Sequence, residues 1–208
     1  MKSTFAVIFL FLLATCGRGG VSLPQNFDTT GEFLDVVVLC GNPNILGQEI
    51  GDVSGQGACG IEDAVSVQYV SGVRLSQPAR LNCRMANTLA GWVANDAQPA
   101  VRKLRSRITE MRVFASYACR SRNSQRGARL SEHALGNAID IGVFTLANGE
   151  LLSVENDWGK GGKGAALERL HSAACGPFGT VLGPRSDRFH YNHFHFDIAG
   201  YRSGSYCR

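Results

Sequence analysis

The chain has 208 residues, of which 44% are hydrophobic and 18% are charged, and this composition is typical of a globular protein rather than a disordered one. The length fits one domain of ordinary size with a single core, and we expect it to act as a monomer with one functional site. The net charge of +4 comes mostly from scattered arginines, without a basic run interleaved with aromatic residues. We therefore expect no nucleic-acid partner.

The N-terminus is typical of an exported protein. Lys2 is followed by an apolar run in residues 5–14, which is too short to span a bilayer comfortably and has the form of a secretory signal. The residues before Cys16 also resemble a bacterial lipobox, so membrane attachment through a lipidated Cys16 stays open. We predict a signal in residues 1–16, a linker in residues 17–34, and a domain in residues 35–208 located in the periplasm or cell envelope.

Alternating apolar residues predict several strands in the first half of this domain. The strand-like segments are residues 32–40, 64–75 and 111–117, the second of which could form a hairpin. Residues 41–60 contain many glycines without a clear period, and we interpret them as a long irregular loop that needs a covalent tie to stay ordered.

Apolar residues recur at helical spacing from residue 81 to residue 108, which predicts the long core helix of the domain. Trp92 lies on this stripe and is expected in the core, and Pro99 should kink or restart the helix. Further along, Asn148 and Gly149 predict a tight hairpin turn. Residues 159–164 are interpreted as a flexible loop and residues 165–174 as a second, shorter helix.

Six cysteines beyond Cys16 support export, because an even number in an exported chain is typical of disulfides. They are Cys40, Cys59, Cys83, Cys119, Cys175 and Cys207. No Cys-x-x-Cys pair is present, so a zinc site built from thiolates is not expected. The sequence does not choose among the pairings, although we expect Cys175 to pair with Cys207 because both flank a histidine-rich segment.

Four of the five histidines fall in two short segments, and these segments are the strongest functional signal in the chain. If residues 193–198 form a strand, His193, His195 and Asp197 share one face while the phenylalanines between them face the core. A second strand beginning at residue 138 would place Asp140 on the face opposite its isoleucine neighbours. Side by side, the two strands could bring Asp140 and His195 together with His133.

Two imidazoles and one carboxylate, with a fourth position left open, are typical of catalytic rather than structural zinc sites. We therefore predict Zn²⁺ bound by His133, Asp140 and His195. His193 could act as a base or hydrogen-bond the transition state. Arg120 could stabilise an oxyanion or bind a substrate carboxylate, with an ordinary surface arginine as the alternative.

Two further acidic residues lie close in sequence to these predicted ligands. Asp197 could orient a histidine as its hydrogen-bond partner or cap the end of its strand, and both readings stay open. Glu132 directly precedes a predicted ligand, but we expect it to face solvent.

Two motifs resemble those of zinc-dependent D-alanyl-D-alanine peptidases and related murein endopeptidases: Ser131-x-His133-x-x-Gly136-x-Ala138-x-Asp140 and His190-x-x-His193-x-His195. The segment at residues 116–121 is similar to their serine-tyrosine-arginine strand end. Residues 35–208 resemble still more closely the bacterial extensin-like C-terminal domain family, in residues 59–62, 131–141 and 178–184.

The resemblance implies an α+β fold of the hedgehog/DD-peptidase type, with a small antiparallel sheet, helices packed on one face and zinc on the other. It also implies peptidoglycan peptides as substrates, His193 and His190 as catalytic residues, and Arg120, Ser131 and Gln125 near the substrate. Carboxypeptidases of this group carry a glutamate base where this chain has Asn192. The histidine spacing instead resembles the endopeptidase branch.

Three hypotheses follow. The leading one is a zinc peptidase that cuts an amide bond in peptidoglycan, with an endopeptidase favoured over a carboxypeptidase. The second is a non-catalytic module that keeps zinc for stability and binds the cell wall or a protein, as Asn192 would allow. The third is a disulfide-stabilised domain without a metal.

Overall fold

The computed structural model describes residues 36–200 and 203–208. The predicted signal, the linker and the lipidation of Cys16 lie outside these residues. Among the residues that the structure describes, none of the helices has the length and apolar character needed to cross a membrane.

Ten strands in the described part of the chain form one mixed sheet. They are β1 (Val37–Leu39), β2 (Asn42–Ser54), β3 (Gly60–Val70), β4 (Val73–Leu81), β5 (Ile108–Ala115), β6 (Ala138–Leu146), β7 (Leu151–Ser153), β8 (Thr180–Leu182), β9 (Phe194–Asp197) and β10 (Tyr206–Cys207). Their order is β1-β2-β3-β4-β5-β6-β9-β8-β10, and β7 also pairs with β6. The β4–β5 and β8–β10 pairs are parallel. The expectation of a small antiparallel sheet was therefore wrong, although the mixture of helices and strands is confirmed.

The predicted long helix begins at Cys83 and changes its winding before Pro99. Helix α1 (Cys83–Trp92) passes through a π-helical segment (Val93–Ala97) into α2 (Gln98–Val101). Proline removes a backbone donor and its ring crowds the preceding turn. The wider π segment accommodates Pro99 and lets the helix continue beyond it. The Gln98 side chain then bonds both backbone groups of Ile108, at 2.9 and 3.0 Å, and so ties this helix to the start of β5.

The core lies on one face of the sheet, beneath α1 and the later helix α4 (Gly161–Ala174). Trp92 is 1% exposed and packs against the rings of Phe144, Phe178 and Phe196. Its expected place in the core is confirmed. A short helix, α3 (Val154–Asp157), precedes α4.

The glycine-rich segment after Cys40 is a strand, so its interpretation as an irregular loop was wrong. Residues 42–54 form β2, which pairs with β3 across several β-bulges. Glycines serve these bulges: Gly51 has φ +65°, and a side chain at Gly47 would collide with the backbone oxygen of Ser66. Composition predicted a loop because the bulges of this strand use glycines, which an ordinary strand does not need.

Three disulfides among the described residues join Cys40 to Cys83, Cys59 to Cys119, and Cys175 to Cys207. The last pair was expected and is confirmed, and disulfides of this number agree with an oxidising compartment.

Both predicted hairpins are present. β3 turns into β4 at Ser71 and Gly72, which both have positive φ, and β6 turns into β7 through Asn148 and Gly149. The loop expected at residues 159–164 is shorter than predicted, because α4 begins at Gly161.

Candidate metal centre

Strands β6 and β9 place two of the predicted ligands opposite each other. They run antiparallel, and Asp140 pairs directly with His195. On both strands the neighbouring residues, such as Ile139 and Phe196, are completely buried in the core. The predicted alternation is confirmed: one face of this strand pair packs against the core, and the other carries a carboxylate beside an imidazole.

His133 reaches the same point from a different element. It lies in a 3-10 helix, Glu132–Leu135, whose N-cap Ser131 accepts a hydrogen bond from the His133 backbone nitrogen. Gly136 ends the helix in the left-handed conformation, with φ +64°. This tight turn lets the chain present His133 and then enter β6 after only two intervening residues, Gly136 and Asn137.

The three side chains converge on a common point. His133 Nε2 lies 3.2 Å from Asp140 Oδ1 and 3.2 Å from His195 Nδ1, and His195 Nδ1 lies 2.9 Å from Asp140 Oδ1. A tetrahedral zinc with ligand bonds of about 2.0–2.1 Å separates its ligand atoms by about 3.3 Å. The donor set and its spacing therefore fit zinc.

The second nitrogen of each imidazole has a fixed acceptor. His133 Nδ1 lies 2.5 Å from the backbone oxygen of Ser116, and His195 Nε2 lies 3.1 Å from Asp197 Oδ2. If each of these nitrogens carries the proton, the opposite nitrogen directs a lone pair at the common point, as a metal ligand requires. Asp197 also accepts a hydrogen bond from the backbone of Ala199 through its other oxygen. It therefore both orients a histidine and caps the end of its strand.

The centre favours positive charge. Burial alone would raise the pKa of Asp140, but hydrogen bonds from His133 and His195 hold it well below its usual range. Burial would likewise lower the pKa of His195, yet bonds to Asp140 and Asp197 raise it to about 9. A proton and a metal ion therefore compete for this imidazole, and metal binding should release protons.

His193 lies beside the centre, with one ring nitrogen facing Asp140 and the other bonded to Asn192. Its Nε2 is 3.7 Å from Asp140 Oδ2, and its Nδ1 is 2.8 Å from Asn192 Oδ1. Burial lowers the pKa of His193 to about 4 despite the attraction of Asp140. The imidazole is therefore neutral near pH 7.

His190 is held by an acidic residue that the sequence analysis did not single out. His190 Nδ1 lies 2.8 Å from Asp187 Oδ1, and its ring centroid is 5.2 Å from that of His193. Burial lowers the pKa of His190 although Asp187 opposes this change. The signal that could have identified Asp187 is its position three residues before a histidine.

A cavity of about 620 Å³ opens over the centre. The predicted residues Arg120, Ser131, His190 and His193 line it, whereas Gln125 is not part of its lining. Sequence reasoning missed several others, namely Arg122, Arg129, Phe189 and Tyr206.

Glu132 also lines this cavity and is only 9% exposed. Asn137 Nδ2 donates to Glu132 Oε2 at 2.8 Å, and Asn82 in turn donates to Asn137. The expectation that Glu132 faces solvent was therefore wrong.

Fold and centre together define an α+β domain whose large mixed sheet carries a candidate metal site on the face away from the core. The family described as extensin-like protein C-terminus matches residues 44–208, and the chain belongs to this family. No curated protein and no solved structure matches the chain. The likeness to zinc D-alanyl-D-alanine peptidases rests on residue motifs alone.

Proposed function

We propose that this domain is a zinc-dependent peptidase of the cell envelope that hydrolyses an amide bond in the stem or cross-link peptides of peptidoglycan. The observation that carries the proposal is the open donor set of His133, Asp140 and His195 in the cavity wall, with a neutral His193 beside it. The separations of 2.9–3.2 Å between donor atoms support zinc as the metal.

When bound, zinc would lower the pKa of a coordinated water to about 7 and polarise the substrate carbonyl. Amide hydrolysis also needs a group that accepts a proton and later donates it to the leaving nitrogen. His193 suits this role because Asn192 holds its Nδ1 and leaves Nε2 beside Asp140. Asn192 occupies the position of the glutamate base in the carboxypeptidases, so we favour an endopeptidase with histidine as the base.

Arg120 is suited to bind a substrate carboxylate or carbonyl. It lines the cavity, and within the described ranges no hydrogen bond or ion pair engages its guanidinium. A permanently charged group with two parallel donors recognises carboxylates well. Ser131 lines the same wall but is already engaged as the N-cap of the helix that carries His133.

The test is cleavage of purified muropeptides, both monomeric and cross-linked, by the zinc-loaded protein. We expect zinc-dependent hydrolysis that His195→Ala and His193→Ala each abolish, with zinc content lost only in the first variant. His171→Gln is the matched control, since His171 lies outside the cavity lining. A folded, zinc-loaded protein that cleaves neither substrate would contradict the proposal.

Asn192 also favours a second function, a zinc-stabilised module that binds the cell wall without cutting it. A chain lacking the usual carboxylate base could keep the metal for stability alone. Binding to isolated sacculi that survives His193→Ala, together with absence of cleavage, would support this alternative.

A further inference from the structure

An exposed aromatic ring lies on the sheet face that carries the metal centre. Phe114 in β5 is 42% exposed, while its neighbour Val113 points into the core and is 4% exposed. The Phe114 ring centroid lies 6.2 Å from that of His193. The ring is therefore placed beside the candidate metal centre rather than in the core.

Gly142 of β6 allows this ring to lie on the strand. A Cβ added at Gly142 would overlap three atoms of the distal half of the Phe114 ring. Gly142 is not among the glycines with positive φ, so its backbone conformation does not require glycine. The missing side chain instead makes room for Phe114, which packs its inner side on the strand and leaves the outer side to solvent.

A second depression begins at Phe114 and is lined by Ser76, Gln77, Arg112 and Val113. Ser76 Oγ and Gln77 Nε2 each bond the backbone of Val113. The Arg112 guanidinium is different, because nothing in the described part of the chain pairs with it. Phe114 thus lies near His193, which lines the metal cavity, and also lines a polar depression that contains a free cationic donor.

We propose that Phe114 and Arg112 form a subsite for a sugar ring of the peptidoglycan glycan strand. The proposal rests on the proposed function, because this sugar is the part of the substrate that the peptidase would hold next to its metal centre. A pyranose has an apolar C–H face that can pack on an aromatic ring. Its edges carry hydroxyl groups that can accept hydrogen bonds from a guanidinium. An exposed flat ring with one nearby donor offers this combination. A methyl or other apolar side chain of the stem peptide would use only the ring.

The first experiment measures binding without catalysis. A short linear oligomer of N-acetylglucosamine is titrated into zinc-free and zinc-loaded protein, and backbone amide shifts in β5 and β6 are followed by NMR. We expect saturable shifts in both forms and binding weakened about fivefold to tenfold by Phe114→Ala. Phe114→Tyr should keep the affinity, and Leu151→Ala, which removes another exposed apolar side chain, is the control.

The second experiment compares muropeptides with and without their sugars as substrates. Phe114→Ala should raise KM for the sugar-bearing form alone and leave kcat nearly unchanged. Oligomer binding without any peptide cleavage would reject the peptidase and keep the subsite. Absence of oligomer binding, equal affinity in Phe114→Ala, or Phe114-dependent binding of the sugar-free peptide alone would overturn the subsite.

Discussion

His195 and Asp197, two positions apart on β9, are joined by a hydrogen bond of 3.1 Å between Nε2 and Oδ2. The bond fixes the His195 ring with Nδ1 directed at His133 and Asp140. Because such outer partners orient metal ligands and increase their basicity, we expect Asp197→Ala to weaken zinc affinity by about 10–100-fold. Competition with a chelator of known affinity measures the change.

The matched control for Asp197 is Asp187→Ala. Asp187 also bonds a histidine, but that histidine is not one of the three proposed ligands. Its removal should leave zinc affinity unchanged, and an Asp197→Ala protein that binds zinc as tightly as the original chain would contradict the orienting role. Zinc at about 100 times its Kd should also stabilise the original chain by about 2.7 kcal/mol.

Asp187 should matter for turnover instead. The Asp187 carboxylate accepts a hydrogen bond from His190 Nδ1 at 2.8 Å, so Nε2 is the His190 nitrogen with a lone pair that can accept a proton. We expect Asp187→Ala to lower kcat on muropeptides by about tenfold or more at unchanged zinc content, and Asp187→Asn, which keeps an oxygen acceptor, to restore part of it. Nitrogen NMR should find the Nδ1-protonated tautomer of His190 in the original chain and a mixture in Asp187→Ala.

Two outcomes bear against this role for Asp187. Equal kcat in Asp187→Ala and the original chain would contradict it. The same His190 tautomer in both proteins would also contradict it, because Asp187 would then not determine which ring nitrogen carries the proton.

The pairing of Asp140 with His195 was predictable because it depends on local alternation. Side chains on a strand change face at every residue, so a polar residue between apolar neighbours identifies the face away from the core. Asp140 lies between Ile139 and Ile141, and His195 lies between Phe194 and Phe196. Antiparallel pairing then needed only to bring the two strands together.

Burial of Glu132 and the extent of β2 were not predictable in the same way. Glu132 is buried because Asn137, itself held by Asn82 from the start of α1, supplies its partner. That partnership depends on a contact 55 positions apart in the chain, which no local pattern contains. In β2 the glycines at the bulges resemble those of a loop, so composition predicted a loop where the structure has a strand.

Gly136 should be intolerant of a side chain for two separate reasons. It has φ +64°, and an added Cβ would lie 2.5 Å from Ile61 Cδ1 and 3.0 Å from the Asn82 backbone nitrogen. We expect Gly136→Ala to lower the free energy of unfolding by about 2–4 kcal/mol and to weaken zinc binding, because the turn also sets the position of His133. Urea unfolding and chelator competition measure the two effects.

Gly127→Ala separates these two reasons. Gly127 has φ +78° but no atom within 4 Å of an added Cβ, so its substitution adds only the conformational cost of about 1 kcal/mol. Equal losses of stability in the two variants would contradict the steric part of the argument. Unchanged zinc affinity in Gly136→Ala would contradict the coupling of this turn to the metal centre.

His171 should make stability depend on pH away from the metal centre. Burial lowers the pKa of His171 below 6.5, the bond to the Arg208 carbonyl opposes this, and Arg185 adds to it. Because the folded state binds this proton less readily than the unfolded chain, the stability linked to neutral His171 is complete above about pH 6.5 and is lost as the pH falls through the folded-state pKa. In zinc-free protein, the free energy of unfolding should therefore fall further between about pH 7.5 and about pH 5.5 in the original chain than in His171→Gln. Urea unfolding of both proteins at each pH measures the difference, and an equal fall in the two would assign the pH dependence to other groups.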